Sequence, residues 1–397
     1  MIKPRLVNLL FFCIASFCTV SGFAAENKLS LPEHPERGLD VFVEKSCVAC
    51  HTSWGAGGNV GPDLSKSLSG RNYYQIVGLL WNHSPRMFAK MKDKGIPIKE
   101  ISSTDMQYLI AYLYYLNFLD PPGEYEKGEK LFQQKKCVEC HSLGGNTGKP
   151  APALDNMGRM ISPIYFATYM WNHRVGMTSM FRKRGFELPK FYENDLANIL
   201  AYIRGNSIDE TEKRKYLLPG NPNAGLEIFK EKKCILCHSV FGIGGKIGPD
   251  LGVANLSKSI TELSGILWNH MDGMEIVYKN QDLKLPKFEP QGLANLLTYL
   301  FFTGFYDDEG DIKKGAKIFE DKKCASCHPL AGEGSNLAPD LATGGIDFDS
   351  FEFPSRIWNH SQNMGAAFDE KLSSWPIFRD DEMRDLIYFL KFKSQKE

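Results

Sequence analysis

Four Cys-x-x-Cys-His motifs constrain this chain more than any other feature. Successive motifs are separated by 90, 97 and 90 residues, which is the fixed-period self-similarity of an internal repeat. The two other cysteines, Cys13 and Cys18, lie in an N-terminal apolar segment. The spacing therefore predicts four tandem units. Their motif residues are Cys47, Cys50 and His51; Cys137, Cys140 and His141; Cys234, Cys237 and His238; and Cys324, Cys327 and His328.

Other landmarks keep constant offsets from each motif. A glycine stands nine residues before the first cysteine, and a proline stands eleven residues after the motif histidine. The tripeptide Trp-Asn-His recurs with its histidine 32 residues past the motif histidine, and a methionine follows four residues later. Each unit closes with an apolar segment of helical period. The second histidines are His83, His173, His270 and His360, and the methionines are Met87, Met177, Met274 and Met364.

Length variation is confined to turn-rich joints between the units. We predict an all-α chain, with a signal peptide at 1–24 and four small helical domains at 25–120, 121–216, 217–306 and 307–397. No alternating apolar run is long enough to predict a sheet. Because the outer intervals are 90 residues and the middle one is 97, the order also permits a duplicated two-unit module.

The first residues are typical of a secretory signal peptide. Lys3 and Arg5 precede an apolar run from Leu6 to Val20, and small residues suit cleavage after Ala24. The alternative is an uncleaved anchor, although the run is short for a membrane span. Without Lys3 and Arg5, 45 basic and 47 acidic side chains remain, so the charge predicts no nucleic-acid partner. We expect export to the periplasm of a bacterium with two membranes.

The Cys-x-x-Cys-His sequence is suited to covalent attachment of a porphyrin and to binding of its iron. Two thiols one turn apart can add to the two vinyl groups of a porphyrin, and the adjacent imidazole then reaches the iron. Zinc binding would need two neighbouring cysteine pairs, whereas the pairs here are separated by a whole repeat. A thioredoxin-like redox pair would lie beside a βαβ pattern, which is missing. We therefore predict four covalently bound haems c, with His51, His141, His238 and His328 as proximal iron ligands.

Each unit offers two candidates for the sixth iron ligand, the Trp-Asn-His histidine and the methionine after it. Residues four apart lie on one face of a helix, so the spacing does not choose between them.

Each unit resembles a class I cytochrome c domain along nearly its whole length. The likeness rests on Gly-x-x-x-Phe before the cysteine motif, the proline and leucine after it, the methionine, and a closing helix with an aromatic residue. An asparagine also stands five residues before the methionine, as in many family members, with histidine in place of their glycine. The resemblance implies His/Met ligation by Met87, Met177, Met274 and Met364.

The resemblance implies two further contacts. The opening-helix glycine should meet the closing-helix aromatic residue where the two helices cross. The motif prolines should present their carbonyl groups to the proximal imidazoles, which would fix the ring orientation. These prolines are Pro62, Pro152, Pro249 and Pro339.

We predict an electron carrier, and not an enzyme, that passes electrons between a donor and an acceptor redox protein. One alternative is a haem enzyme with an open haem, which would need one unit without a sixth ligand. All four units offer the same pair of candidates. The other alternative is a cytochrome subunit of an inner-membrane oxidoreductase complex, which the sequence does not separate from a free shuttle.

Overall fold

The computed structural model describes residues 32, 34–143, 149–154, 162–207, 219–305, 309–348, 351–371 and 374–395, with the side chains of 365–371 excepted. The predicted signal peptide lies outside the described residues. Within these ranges, no helix is both long enough and apolar enough to span a bilayer.

The predicted units, numbered 1 to 4 here, repeat one order of elements, and the all-α prediction is confirmed. Each has an opening helix, a 3-10 turn at the cysteine motif, a long middle helix and a closing helix. The opening helices are α1 (Gly38–Glu44), α5 (Tyr125–Gln134), α8 (Pro222–Glu231) and α11 (Ile312–Asp321). The middle helices are α3 (Tyr73–Asp93), α6 (Pro163–Lys183), α9 (Ile260–Asn280) and α12 (Glu352–Lys371). The closing helices are α4 (Ser103–Tyr115), α7 (Asp195–Gly205), α10 (Pro290–Phe302) and α13 (Glu382–Ser394).

Three small elements were not predicted from the sequence. Helix α2 (Leu64–Ser67) follows the first motif. Two antiparallel hairpins of two residues a strand also occur, β1 (Thr52–Ser53) with β2 (Ala56–Gly57) and β3 (Ser239–Val240) with β4 (Ile243–Gly244). The exact domain boundaries stay a prediction.

The opening and closing helices of each unit cross at the expected glycine. A Cβ atom added to Gly128 would lie 1.9 Å from the carbonyl oxygen of Asn198 and 2.8 Å from the Cβ of Tyr202. Only glycine allows backbones to approach this closely. The same close approach occurs between Gly38 and Tyr112, Gly225 and Tyr299, and Gly315 and Phe389.

The middle helices pack in pairs, α3 against α12 and α6 against α9, so unit 1 pairs with unit 4 and unit 2 with unit 3. In each pair the Trp-Asn-His asparagine bonds to the backbone just before the partner's closing helix. Asn172 Nδ2 donates to Phe288 O at 2.8 Å, and Asn172 Oδ1 accepts from Phe288 N at 3.0 Å. The equivalent pairs are Asn269 with Phe191, Asn82 with Phe378, and Asn359 with Ile101.

Units 1 and 3 meet through a third, reciprocal contact. Tyr73 N donates to Phe305 O at 2.9 Å, and at the equivalent positions Ile260 N donates to Phe118 O at 3.0 Å. Among the described residues, these contacts join the units in the order 4, 1, 3, 2. Exchanging units 1 and 2 with units 3 and 4 maps each of these contacts onto its counterpart. The duplicated two-unit module stays a prediction.

Candidate haem sites

Each cysteine motif forms a 3-10 turn directly after the opening helix. The residue before the turn has a left-handed backbone although it is not glycine: Ser46, Lys136, Lys233 and Lys323, with φ of 65°, 63°, 64° and 59°. Within each turn the backbone N–H of the motif histidine donates to the carbonyl of the first cysteine, at 2.9–3.0 Å. The turn therefore holds both cysteines and the histidine in one compact arrangement.

The first cysteine of each motif is a half-buried thiol that stays neutral near pH 7. Burial raises the pKa of Cys47, Cys234 and Cys324 to about 11 each and that of Cys137 to about 12. All eight motif cysteines are free thiols. In the part of the chain that the structure covers, no group of three or more His, Cys, Asp or Glu side chains is placed to bind a metal ion.

The motif histidines are oriented as the resemblance implied. Nδ1–H of His51 donates to Pro62 O at 3.1 Å. This bond places the ring proton on Nδ1 and leaves the Nε2 lone pair available to a metal. The other three bonds join His141 to Pro152 at 2.9 Å, His238 to Pro249 at 3.0 Å, and His328 to Pro339 at 2.8 Å.

A cavity of about 690 Å³ opens on the motif of unit 4. Its volume falls in the roughly 300–1,000 Å³ range of small-molecule and cofactor sites. Both cysteines, His328, His360 and Met364 line it, and most of the remaining lining is apolar, including Phe319, Leu337, Ile357, Phe378 and Leu386. Two thiols and an imidazole in an apolar cavity of this size fit a covalently bound haem.

Both candidates for the sixth ligand lie on the middle helix. The centre of the His360 ring is 6.3 Å from that of His328, with 66° between the ring planes. Burial, and then the nearby His328, lower the pKa of His360. In unit 2, burial lowers the pKa of His141; the bond to Pro152 opposes this, and His173 adds a smaller lowering. The two histidines of a unit are therefore close in units 2 and 4, and ligation by the methionines stays a prediction.

The tryptophan and asparagine of Trp-Asn-His serve the interface between units. Trp171 Nε1 donates to Pro286 O at 2.7 Å, and Trp268 Nε1 donates to Pro189 O at 2.7 Å. Trp81 bonds in the same way to Pro376 and also lines the cavity of unit 4. The resemblance linked the asparagine to the axial methionine, whereas its side chain binds the partner unit's backbone. A Pro-x-Phe sequence recurs at 189–191, 286–288 and 376–378. This repeat could have indicated the interface from the sequence alone.

One aspartate that sequence reasoning missed organises the loop after the motif. Asp340 accepts hydrogen bonds from the backbone N–H groups of Ala331, Gly332, Ala342 and Thr343. Burial raises its pKa, but these four donors outweigh burial and lower the pKa to about 2. Asp63 and Asp250 take the same position in units 1 and 3, and the pKa of each is also lowered. Unit 2 has Ala153 there.

Comparison with known proteins gives the following matches. The cytochrome c family model matches residues 125–207 and 312–392, which lie in units 2 and 4. The chain is 30% identical over 101 residues to cytochrome c of Stellaria longipes, covering 21% of this chain and 93% of that protein. No solved structure matches the chain.

Two other relatives are the C subunits of bacterial nitric oxide reductases. The chain is 28% identical over 95 residues to the one from Halomonas halodenitrificans, a match that covers 22% of this chain and 63% of that protein. It is 27% identical over 89 residues to the one from Stutzerimonas stutzeri, with 21% and 59% covered. In both cases the match spans less than two thirds of the relative's length.

Proposed function

We propose that this chain, which belongs to the cytochrome c family, is an exported protein that carries four haems c and transfers electrons between redox partners. Membership of the family follows from the 30% identity that extends over 93% of the Stellaria longipes cytochrome c and from the two regions that match the family model. The finer proposal rests above all on the motif histidines. All four donate Nδ1–H to a proline carbonyl at 2.8–3.1 Å, and each follows two free cysteines.

The chain's own residues would attach, orient and shield each haem. The cysteine pairs would form the two thioether links, and the motif histidines would bind the iron through Nε2. Bound haem supplies reversible one-electron chemistry, while the protein supplies position, a dry environment and electrostatics.

The contacts between units suggest a route for electrons. Since the units touch in the order 4, 1, 3, 2, we propose that haems exchange electrons in that order and not in chain order. Units 2 and 4 then stand at the two ends of the route, where a donor and an acceptor protein would dock.

The number of haems is the direct test. Mass spectrometry and a pyridine haemochrome assay of the matured protein should give four haems per chain. The double variant Cys137→Ser/Cys140→Ser should give three. Val138→Ala, between the same cysteines, is the matched control and should keep four. A matured protein without added haem mass would contradict the proposal.

The haem-enzyme alternative can be separated by carbon monoxide. An electron carrier with every iron six-coordinate should not bind carbon monoxide when reduced at native pH. Binding of one equivalent by the unaltered protein would indicate an open haem and would favour an enzyme.

A subunit role in a membrane oxidoreductase complex is the second candidate function. It is favoured by the likeness to the C subunits of two nitric oxide reductases. Cell fractionation followed by haem-stained gels would place the protein either in the periplasmic extract or with the inner membrane. Retention with the membrane after a high-salt wash would favour the complex or the uncleaved anchor. N-terminal sequencing would separate these two, because a signal peptide predicts a mature chain that begins at Ala25.

A further inference from the structure

The distance between the two histidine rings of unit 4 has a chemical meaning. An imidazole nitrogen binds a first-row metal at about 2.0 Å and lies about 1.2 Å from its ring centre, so two imidazoles on opposite sides of one metal have centres about 6.4 Å apart. The centres of His328 and His360 are 6.3 Å apart. The spacing is that of two axial ligands of one metal.

The hydrogen bonds of the histidine rings favour the same interpretation. In unit 2, His141 donates Nδ1–H to Pro152 O and His173 donates Nδ1–H to Tyr169 O at 2.9 Å. Each ring therefore keeps a lone pair on Nε2, and neither ring can donate a hydrogen bond to the other through that atom. A Lewis acid between the rings satisfies both lone pairs. His83 and His270 are held by the carbonyls of Leu79 and Ile266 in the same way.

The Trp-Asn-His motif orients this histidine from two sides. Trp171 and Asn172, the two residues before His173, are both bound to the partner unit, which fixes the rotation of helix α6. The bond from His173 to the carbonyl four residues earlier then fixes the ring itself. This is how proteins usually hold a metal-binding imidazole, with its second nitrogen donating to a backbone carbonyl.

The methionine has a sufficient explanation without a bond to iron. Met364 lines the apolar cavity of unit 4, and methionine is a common filler of irregular apolar surfaces. An iron held by a porphyrin and a proximal histidine has one remaining position, so only one of the two candidates can bind.

We propose that the Trp-Asn-His histidine is the second protein ligand of the iron: His360 in unit 4, and His83, His173 and His270 in the other units. This inference rests on the proposed function, since it requires a haem at each cysteine motif. It gives bis-histidine haems, whose reduction potentials are lower than those of His/Met haems.

Two variants of the full-length, haem-loaded chain test the inference, His360→Gly and Met364→Leu. The haem count is measured first, because fewer than four haems in the unaltered protein would contradict the proposed function itself. Carbon monoxide is then added to each reduced protein. We expect one equivalent to bind His360→Gly and none to bind Met364→Leu or the unaltered chain. Added imidazole should restore the six-coordinate low-spin EPR signal of oxidised His360→Gly.

Binding of carbon monoxide to Met364→Leu, or to neither variant, would overturn the inference and leave the proposed function standing. If His360→Gly loses its haem, the spectrum of oxidised Met364→Leu decides. An unchanged spectrum supports the histidine, whereas loss of a far-red thioether-to-iron band assigns the methionine.

Discussion

The interface between units 2 and 3 and the interface between units 1 and 4 share one plan but differ in how their tryptophan N–H groups are paired. Between units 2 and 3, both tryptophans donate to a proline carbonyl of the partner. Between units 1 and 4, Trp81 has such a partner, but the buried Nε1 of Trp358 has none among the described side chains and backbone. Unit 1 has Lys99 where the other units have the acceptor proline.

The side chains that fill the helix crossing differ as well. Arg174 of unit 2 is 3% exposed, pairs with Asp272 of unit 3 at 3.0 Å and lies over the Trp268 ring at 4.5 Å. Between units 1 and 4, Trp81 instead stacks on Trp375 at 4.4 Å. The asparagine bonds are common to both interfaces and cannot select a partner. Selection of the correct pairs therefore depends on the side chains that differ.

The largest expected effect is common to both interfaces. Asn172→Ala leaves the backbone N–H and C=O of Phe288 without partners, and we expect a loss of about 2–3 kcal/mol in local stability. Asn82→Ala should cost the same at Phe378. Hydrogen exchange of α10 and α13 measures both, and Asn280→Ala, at an exposed helix end, is the control. Unequal losses would mean that the two interfaces do not share their main bond.

The next largest loss of stability should occur only at the interface between units 2 and 3. Asp272→Ala leaves the buried Arg174 guanidinium without its carboxylate, which we expect to cost about 1–2 kcal/mol because Asp272 is half-exposed and only part of the pair is desolvated. Hydrogen exchange of the backbone amides in α6 and α9 should become faster, while exchange in α3 and α12 should not change. Asp321→Ala, in the exposed pair with Lys317, is the control and should cost less than about 0.5 kcal/mol. No change in α6 would show that the ion pair does not stabilise the crossing.

Replacing a tryptophan by phenylalanine should have a smaller effect on stability, and this effect should differ between the two interfaces. Trp268→Phe removes the bond to Pro189 and should destabilise by about 1 kcal/mol or more. Trp358→Phe removes a buried N–H that has no acceptor in the covered chain, so it should be neutral or slightly stabilising. Thermal unfolding of the two haem-loaded variants gives the comparison. Equal losses in both variants would mean that the indole N–H groups are not what distinguishes the interfaces.

The smallest expected effect is a loss of stability at low pH. The pKa of Asp340 is about 2 in the folded chain, below the roughly 4 expected when unfolded, so its contribution is present above pH 4 and is lost as the pH falls toward 2. Because its side chain is only partly buried, we expect less than about 1 kcal/mol. Units 1 and 4 contain two such aspartates and units 2 and 3 contain one, so acid should weaken the first pair more. Hydrogen exchange between pH 5 and pH 2.5 tests this, and Asp340→Asn should remove part of the difference.

The sequence predicted what depends on residues close together in one unit. The proline carbonyls on the motif histidines and the glycine at the helix crossing were implied by the resemblance to class I cytochrome c, whose motif positions recur inside each repeat. Pairing between units could not be predicted in the same way, since every unit carries the same Trp-Asn-His and nearly the same acceptor segment. Which units pair with each other depends on residues that differ between the repeats, such as Arg174 in unit 2 and Lys99 in unit 1. It also depends on the joints between units, whose geometry the sequence does not specify.

Two local features also could not be predicted from the sequence. Lysine is not a residue that predicts left-handed backbone, yet Lys136, Lys233 and Lys323 adopt it before their motifs. Aspartate after proline predicts a turn, but not that one carboxylate collects four backbone donors. Both depend on the closed shape of the loop around the histidine.

The order in which the units touch has a consequence for how the chain is made. Asn172 and its partner Phe288 are 116 residues apart, whereas Asn82 and Phe378 are 296 residues apart. Chains are synthesised from the N-terminus and their domains fold as units as they emerge. The interface between units 2 and 3 can therefore form before unit 4 has emerged. The face of α3 that packs on α12 has to remain without its partner until nearly the whole chain has emerged, so unit 1, which is made first, is completed only together with unit 4.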